Sequence, residues 1–265
     1  MIRIIACVLA MTGTTVSAEN LKVAVTTSFH NSGLSDILLP AIAEDTGIDV
    51  QLLVVGTGQA LRLGEAGDVD AILVHSRASE EAFIANGYGT HRREIMYNDF
   101  VFIGPNADPA AVSDAASAAD ALTRIAQTEA IFVSRGDDSG THKKELSLWD
   151  AADVARGGDW YRPVGAGMGA ALNTAAGMDA YIIADRASWL NFGNKADLDL
   201  LFAGDPVLFN QYAYIPVDPA LHPHVKNDVA LALEDWLTGE HAAMLINGYT
   251  INGETLFTFN AETGS

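Results

Sequence analysis

The residue types best suited to chemistry lie in one stretch, Ser134-Arg135-Gly136-Asp137-Asp138-Ser139-Gly140-Thr141-His142. An apolar run from Ala130 to Val133 precedes it and predicts a short buried strand. Helical spacing through Leu146 and Trp149 follows it. A strand that turns through small polar residues into a helix gathers unpaired backbone N–H groups at one point. Those donors carry the partial positive charge of a helix N-terminus, and Ser139 and Thr141 add hydroxyls. Arg135 supplies a permanent cation with forked donors shaped for a tetrahedral oxyanion. The chemistry this combination predicts is anion binding.

Other junctions share the makeup. Leu21 to Val25 reads as a strand that runs into Thr26-Thr27-Ser28, and Leu34, Ile37, Leu38 and Ile42 then follow at helical spacing to a stop at Gly47. Ile48 to Val55 is a second strand, and Gly56-Thr57-Gly58 opens the next helix. Val69 to Val74 is a third strand, ending in His75. Each junction alone has an ordinary explanation, a capped helix or a tight turn. Together they place Thr27, Ser28, Thr57, Gly58 and His75 at the carboxyl ends of strands, where open α/β sheets bind ligands. Gly165 to Asn173 is a further glycine-rich approach to a helix, but it lacks the preceding strand and the downstream acid of a dinucleotide site.

Competing chemistries fit less well. Asp138-Ser139-Gly140 echoes the surroundings of a serine-hydrolase nucleophile, with His75 or His142 as partner. The alternation of strands and helices does not suit the paired antiparallel barrels in which that string is familiar. Metal-ligand spacing is lacking, His222 and His224 being a loop pair, and no cofactor is expected. An anion held by neutral donors and one Arg should be fully ionised. A monohydrogen phosphate also carries an O–H that wants a carboxylate acceptor, a part Asp137 or Asp138 could play. His75 can donate, and so it suits an unprotonated dianion such as tungstate, molybdate or sulfate.

The elements that must position these residues alternate strand and helix, which predicts an α/β fold. Ile95 to Pro105 is a long strand-like run and a candidate crossover into a second domain. Asp114 to Gln127 has helical character, Pro206 to Val217 reads as a returning strand, and His224 to Leu237 as a late helix.

Net charge and targeting narrow the setting. The chain of 265 residues carries a formal charge of −19, which argues against nucleic acid and anionic lipid as partners. Met1 to Ala18 has the pattern of a secretory signal: one Arg, an apolar run from Ile4 to Met11, and Val16-Ser17-Ala18 before the cut. The single cysteine, Cys7, falls inside it, leaving the mature chain without thiols. A soluble periplasmic protein is expected, with no segment inserted in the membrane.

These motifs resemble one family, the tungstate-binding proteins of bacterial ABC importers, which are periplasmic class II solute-binding proteins. The resemblance covers nearly all of the mature chain. It rests on Val25-Thr26-Thr27-Ser28, Val55-Gly56-Thr57-Gly58-Gln59, Val74-His75, Met96-Tyr97-Asn98-Asp99-Phe100 and, above all, Ser134 to His142. It implies two lobes, each a mixed sheet flanked by helices, joined by two crossover strands: residues 19–103 with 209–265 as lobe I, and 104–208 as lobe II. It implies an oxyanion held by Thr27, Ser28, Thr57, Gly58, Arg135, Ser139, Gly140 and Thr141, with no direct metal ligands and no catalysis. Its partners would be tungstate and a cognate permease with its ATPase, and the protein a monomer. Molybdate, phosphate or sulfate are the alternative ligands, since the Arg-x-x-x-Ser-Gly-Thr part is shared with phosphate-binding relatives.

Overall fold

A computed structural model describes residues 19–137 and 139–262. The expected signal segment, residues 1–18, lies outside the described residues, as does Asp138. The described residues begin with β1 (Glu19–Thr26), α1 (Thr27–Asn31), α2 (Ser35–Thr46), β2 (Ile48–Val55), α3 (Thr57–Ala66), β3 (Ala71–Val74) and α4 (Arg77–Ala85). A long strand, β4 (Arg93–Pro105), leads into α5 (Ala118–Thr128), β5 (Phe132–Ser134), α6 (Gly140–Ala151), β6 (Tyr161–Pro163), α7 (Met168–Met178), β7 (Tyr181–Asp185), α8 (Arg186–Asn191) and β8 (Leu198–Phe202). It closes with β9 (Phe209–Pro216), α9 (Asn227–Leu237), α10 (Glu240–Gly248), the small hairpin β10 (Thr250–Ile251) and β11 (Glu254–Thr255), and β12 (Thr258–Phe259).

The main sheet runs β2-β1-β3-β9-β4-β7-β5-β6. β1 is parallel to both β2 and β3, so Thr26, Val55 and Val74 end at the same edge of the sheet. β4 belongs to two halves. From Arg93 to Asp99 it pairs antiparallel with β9, and from Phe100 onward it pairs with β7 and β8. The chain thus crosses from one lobe to the other along β4, and it returns to the waist through residues 203–208, where Phe209 of β9 faces Asp99.

Alternation along the strands builds the cores on both faces of the sheet. Val23, Val25, Leu73, Val101, Ile103, Val133, Ile182 and Ala184 share one core, packed with Leu38, Ile42, Leu233, Ile246 and Trp189. The residues between them face the other way: Ala24, Ile72 and Val74 pack with Leu61 and Phe83, whereas Phe100, Phe102, Phe132, Tyr181 and Ile183 pack with Leu122 and Trp149. Strands covered on both sides read as unbroken apolar runs, and Ala71-Ile72-Leu73-Val74 is wholly buried for that reason. Each fully buried Leu, Ile or Phe contributes about 1.5–3 kcal/mol of burial free energy. The first of these cores passes without a break from one lobe to the other.

Local chemistry sets several ends differently from the sequence expectation. Residues 206–208 form a 3-10 turn, so β9 starts only at Phe209. Pro206 offers no N–H to a ladder, and the Asp205 carboxylate accepts from Val207 N at 3.1 Å. The helix expected from Asp114 begins at Ala118, because Ser117 caps it through Asp120 N at 3.1 Å. The late helix starts at Asn227 rather than His224. At the other extreme, Gly47 ends α2 with φ 73°, the left-handed cap that its position predicts.

Candidate functional site

Thr26 closes β1 and caps α1, its Oγ1 accepting from Phe29 N at 3.3 Å. That turn presents Ser28, whose Oγ lies 3.0 Å from Thr26 Oγ1, 3.0 Å from His75 Nε2 and 3.2 Å from Tyr212 Oη. Sheet register brings the last two together. Val74 of β3 pairs with Ala213 of β9, so one residue further on His75 stands beside Tyr212. Their rings are 4.8 Å apart at 48°. Burial pushes the His75 imidazole below its ordinary value against the opposing charge of Asp185. Burial likewise drives the Tyr212 phenol well up, so it keeps its proton.

Behind this cluster the waist is polar and buried. Asn98 of β4 and Asn210 of β9 face each other in register, and Asn210 Nδ2 donates to Asn98 Oδ1 at 2.9 Å. Both are buried. Asp185 ends β7, caps α8, and accepts from Ser188 N at 2.9 Å and Ser188 Oγ at 2.7 Å. Asp99 holds Arg186 through two bonds of 2.6 Å.

The second half of the site is the α6 turn. Ser139 caps α6, its Oγ accepting from His142 N at 3.2 Å. Asp137 receives Ser139 N at 3.2 Å and the Arg135 Nη2 donor. Burial opposes ionisation of Asp137, yet the donors of Ser139 and Arg135 and the guanidinium charge hold its carboxyl below the usual range. Arg135 Nε also leans toward Ala166 O at 3.4 Å, while Ala166 N donates to Arg135 O at 3.1 Å, tying the turn to the approach of α7. Underneath, Glu145 is buried and accepts from Tyr161 Oη at 2.7 Å. Burial raises the Glu145 carboxyl, and burial together with that carboxylate pushes the Tyr161 phenol up to about 12.

The halves meet where Gly140, the first residue of α6, lies against His75: a Cβ built on Gly140 would be 3.5 Å from His75 Cε1. Among the residues expected to form a site, Ser28, His75 and Gly140 come together in this way, with Ser139 adjoining. Arg135 is close in sequence and largely buried, but it is paired with Asp137. Thr27 is exposed at the start of α1, and Thr26 takes the inward position beside Ser28. Thr57 and Gly58 open α3 at the neighbouring strand end, outside this hydrogen-bonded cluster. Thr141 is buried within the first turn of α6. His75 turns Nε2 to Ser28.

Sequence reasoning missed Thr26 as an inward residue, and it missed Tyr212, Asn98, Asn210 and Asp185. A signal was present for the last three: polar residues set in or closing otherwise apolar strands, Asn98 beside Asp99, Asn210 beside Gln211 and Asp185 at the end of β7, which survive burial only with partners.

A sheet divided between two lobes by a crossing strand, with hydroxyls and a helix N-terminus meeting at the waist, defines a periplasmic-binding-protein fold. The chain belongs to the PBP superfamily, whose domain profile matches residues 12–241. Its relatives include the tungstate-binding protein TupA of Peptoclostridium acidaminophilum, 45% identical over 242 residues that cover 90% of this chain and 85% of that protein. Among solved structures, the tungstate-binding protein TupA from Desulfovibrio alaskensis G20 is 45% identical, with a TM-score of 0.89 over 92% of this chain and all (100%) of that one. The tungstate ABC transporter structure from Geobacter sulfurreducens is 47% identical, with a TM-score of 0.78 over 87% of this chain and 99% of that one.

Proposed function

We propose that this protein is the extracytoplasmic solute-binding component of an ABC importer and that it captures tungstate. The observation that carries this is the placement of Gly140 against His75, which sets the N-terminal donors of α6 opposite the Thr26-Ser28 turn. An oxyanion between them would receive N–H donors from one lobe and hydroxyl-rich backbone from the other, and lobe closure would seal it from water. Lobe I would comprise 19–103 and 209–265, and lobe II 104–208; along β4 the change of partners comes a few residues earlier, between Asp99 and Phe100.

Two carboxylates near the site already hold donors of the protein. Asp137 is committed to Arg135 and Ser139, and Asp185 to Ser188. Each carboxylate keeps lone pairs beyond these bonds, so the preference for tungstate, molybdate or sulfate over monohydrogen phosphate rests on the tungstate binding of the relatives. Tungstate is selected among them by the relatives' binding. A hydrolytic role for Ser139 has no support: the superfamily binds solutes, and the relatives are tungstate-binding proteins. Among the described residues no helix is long and apolar enough to cross a membrane. Delivery would be from the periplasm, after removal of residues 1–18, as a monomer docking on a permease coupled to an ATPase.

Titration calorimetry of residues 19–265 with tungstate, molybdate, sulfate and phosphate tests the assignment. Tight binding of tungstate with at least hundredfold weaker phosphate is expected; the reverse order would overturn it.

A further inference from the structure

His75 meets Gly140 of the other lobe from the turn between β3 and α4, so the path of that turn decides where the imidazole stands. Ser76 is the N-cap of α4, but its hydroxyl does not cap the helix, and Oγ lies 3.0 Å from Ser79 Oγ. A carboxylate holds the turn instead. Glu80, in the first turn of α4, is fully buried, and its Oε1 reaches back to accept from Ser76 N at 2.5 Å. That N–H belongs to the planar peptide unit shared by His75 and Ser76. Fixing the plane fixes the direction in which the chain leaves His75.

The other carboxylate oxygen takes Arg92 Nε at 2.6 Å. Arg92 immediately precedes β4, the strand that crosses between the lobes, and its Nη1 donates to Glu94 at 2.7 Å. Glu94 also meets Arg77 at 3.4 Å on the exposed side. Stability does not account for this arrangement. Apolar side chains of similar volume often match or exceed a buried ion pair, and here Arg92 Nη2 is buried without a hydrogen-bond partner.

We infer that Glu80 and Arg92 are positioning residues of the proposed anion site: together they fix the peptide that follows His75 and tie it to the base of the crossing strand. This rests on that site and deepens it, because the face His75 turns toward the α6 N-terminus is then set from inside lobe I by a carboxylate sealed from solvent.

Two variants separate placement from stability. Glu80→Leu with Arg92→Met removes both charges at similar volume and leaves Ser76 N without its acceptor. Glu80→Gln keeps an oxygen for Ser76 N and leaves Arg92 paired with Glu94. In the ligand-free protein, the Ser76 amide proton should lie downfield, as a short charge-assisted bond requires, and move upfield in the double variant. The His75 imidazole 15N resonances should move with it. In Glu80→Gln both shifts should be smaller. In calorimetry with tungstate, the double variant should bind about tenfold more weakly and Glu80→Gln within about threefold of the unmodified protein.

A double variant that binds tungstate as the unmodified protein does would overturn the inference. So would His75 resonances that stay in place while the Ser76 amide moves, or a loss in Glu80→Gln as large as in the double variant. Thermal melting is the remaining control: a double variant that melts far below the unmodified protein would make the pair a stability element and sink the positioning role. Failure of the unmodified protein to bind tungstate would instead strike the ligand assignment, and the ligand-free resonances would still judge Glu80.

Discussion

Gly140 and His75 come from opposite lobes and face each other, a Cβ on the glycine standing 3.5 Å from the imidazole Cε1. That spacing is ordinary van der Waals contact, so one methyl fits and a longer side chain does not. Gly140→Ala should bind tungstate within about threefold of the unmodified protein. Gly140→Leu should push α6 away from the Ser28 turn and weaken binding by more than about tenfold, about 1.4 kcal/mol. Calorimetry on both variants, with small-angle scattering to follow the lobe separation, checks the contrast.

Arg135 and Asp137 form a partly buried pair beside the α6 N-terminus. Arg135→Ala removes a cation and leaves the carboxylate unopposed near the bound dianion, and a loss of about 2–5 kcal/mol in binding is expected. Arg135→Ala combined with Asp137→Ala should recover part of that loss, because the stranded negative charge has gone. A double variant that binds no better than Arg135→Ala would mean that the carboxylate is not felt at the site.

His75 gives stability a pH dependence of definite sign. Burial lowers its folded pKa from the ordinary 6.5, so near and below that pH the unfolded chain binds more protons than the folded one. Its contribution is therefore complete above pH 6.5 and declines as the pH falls toward the folded value. Urea unfolding of the unmodified protein and His75→Gln, compared between pH 7.5 and 5.5, should show the difference shifting against the unmodified protein on acidification. The slope is bounded at about 1.4 kcal/mol per pH unit for one proton.

Arg186 fastens α8 to the crossing strand through Asp99, at 2.6 Å on both carboxylate oxygens, and reaches Glu254 of the β10–β11 hairpin at 3.9 Å. Both members of the Asp99 pair are largely buried, with side-chain exposures of 19% and 12%. Arg186→Ala strands the Asp99 charge and should destabilise the fold by about 3–5 kcal/mol. Asp99→Asn combined with Arg186→Met, which leaves no unpaired charge, should lose much less. Denaturant midpoints of the two variants make the comparison.

The strands were legible because burial on both faces writes them as apolar runs, as in Ala71 to Val74 and Phe100 to Ile103. Their ends were less so. Asp205 and Ser117 set boundaries through side-chain acceptors and Pro206 by its missing N–H, details that composition over a window does not resolve. The site divides along the same line. The turn from Ser134 to His142 and the Thr26-Ser28 junction announce themselves, since their donors come from consecutive residues at a strand-to-helix handover.

The sequence by itself determined that this is an α/β chain with hydroxyl- and glycine-rich turns after its strands, one of which carries Arg135. Local backbone geometry needs no distant partner. Tertiary structure alone decided that Arg135 answers to Asp137, that His75 turns to Ser28, and that Tyr212 completes the cluster. Tyr212 lies 184 positions from Ser28. They meet because β9 runs antiparallel beside β3, and only the register of those strands, fixed by the packing of both sheet faces, puts the phenol next to the hydroxyl.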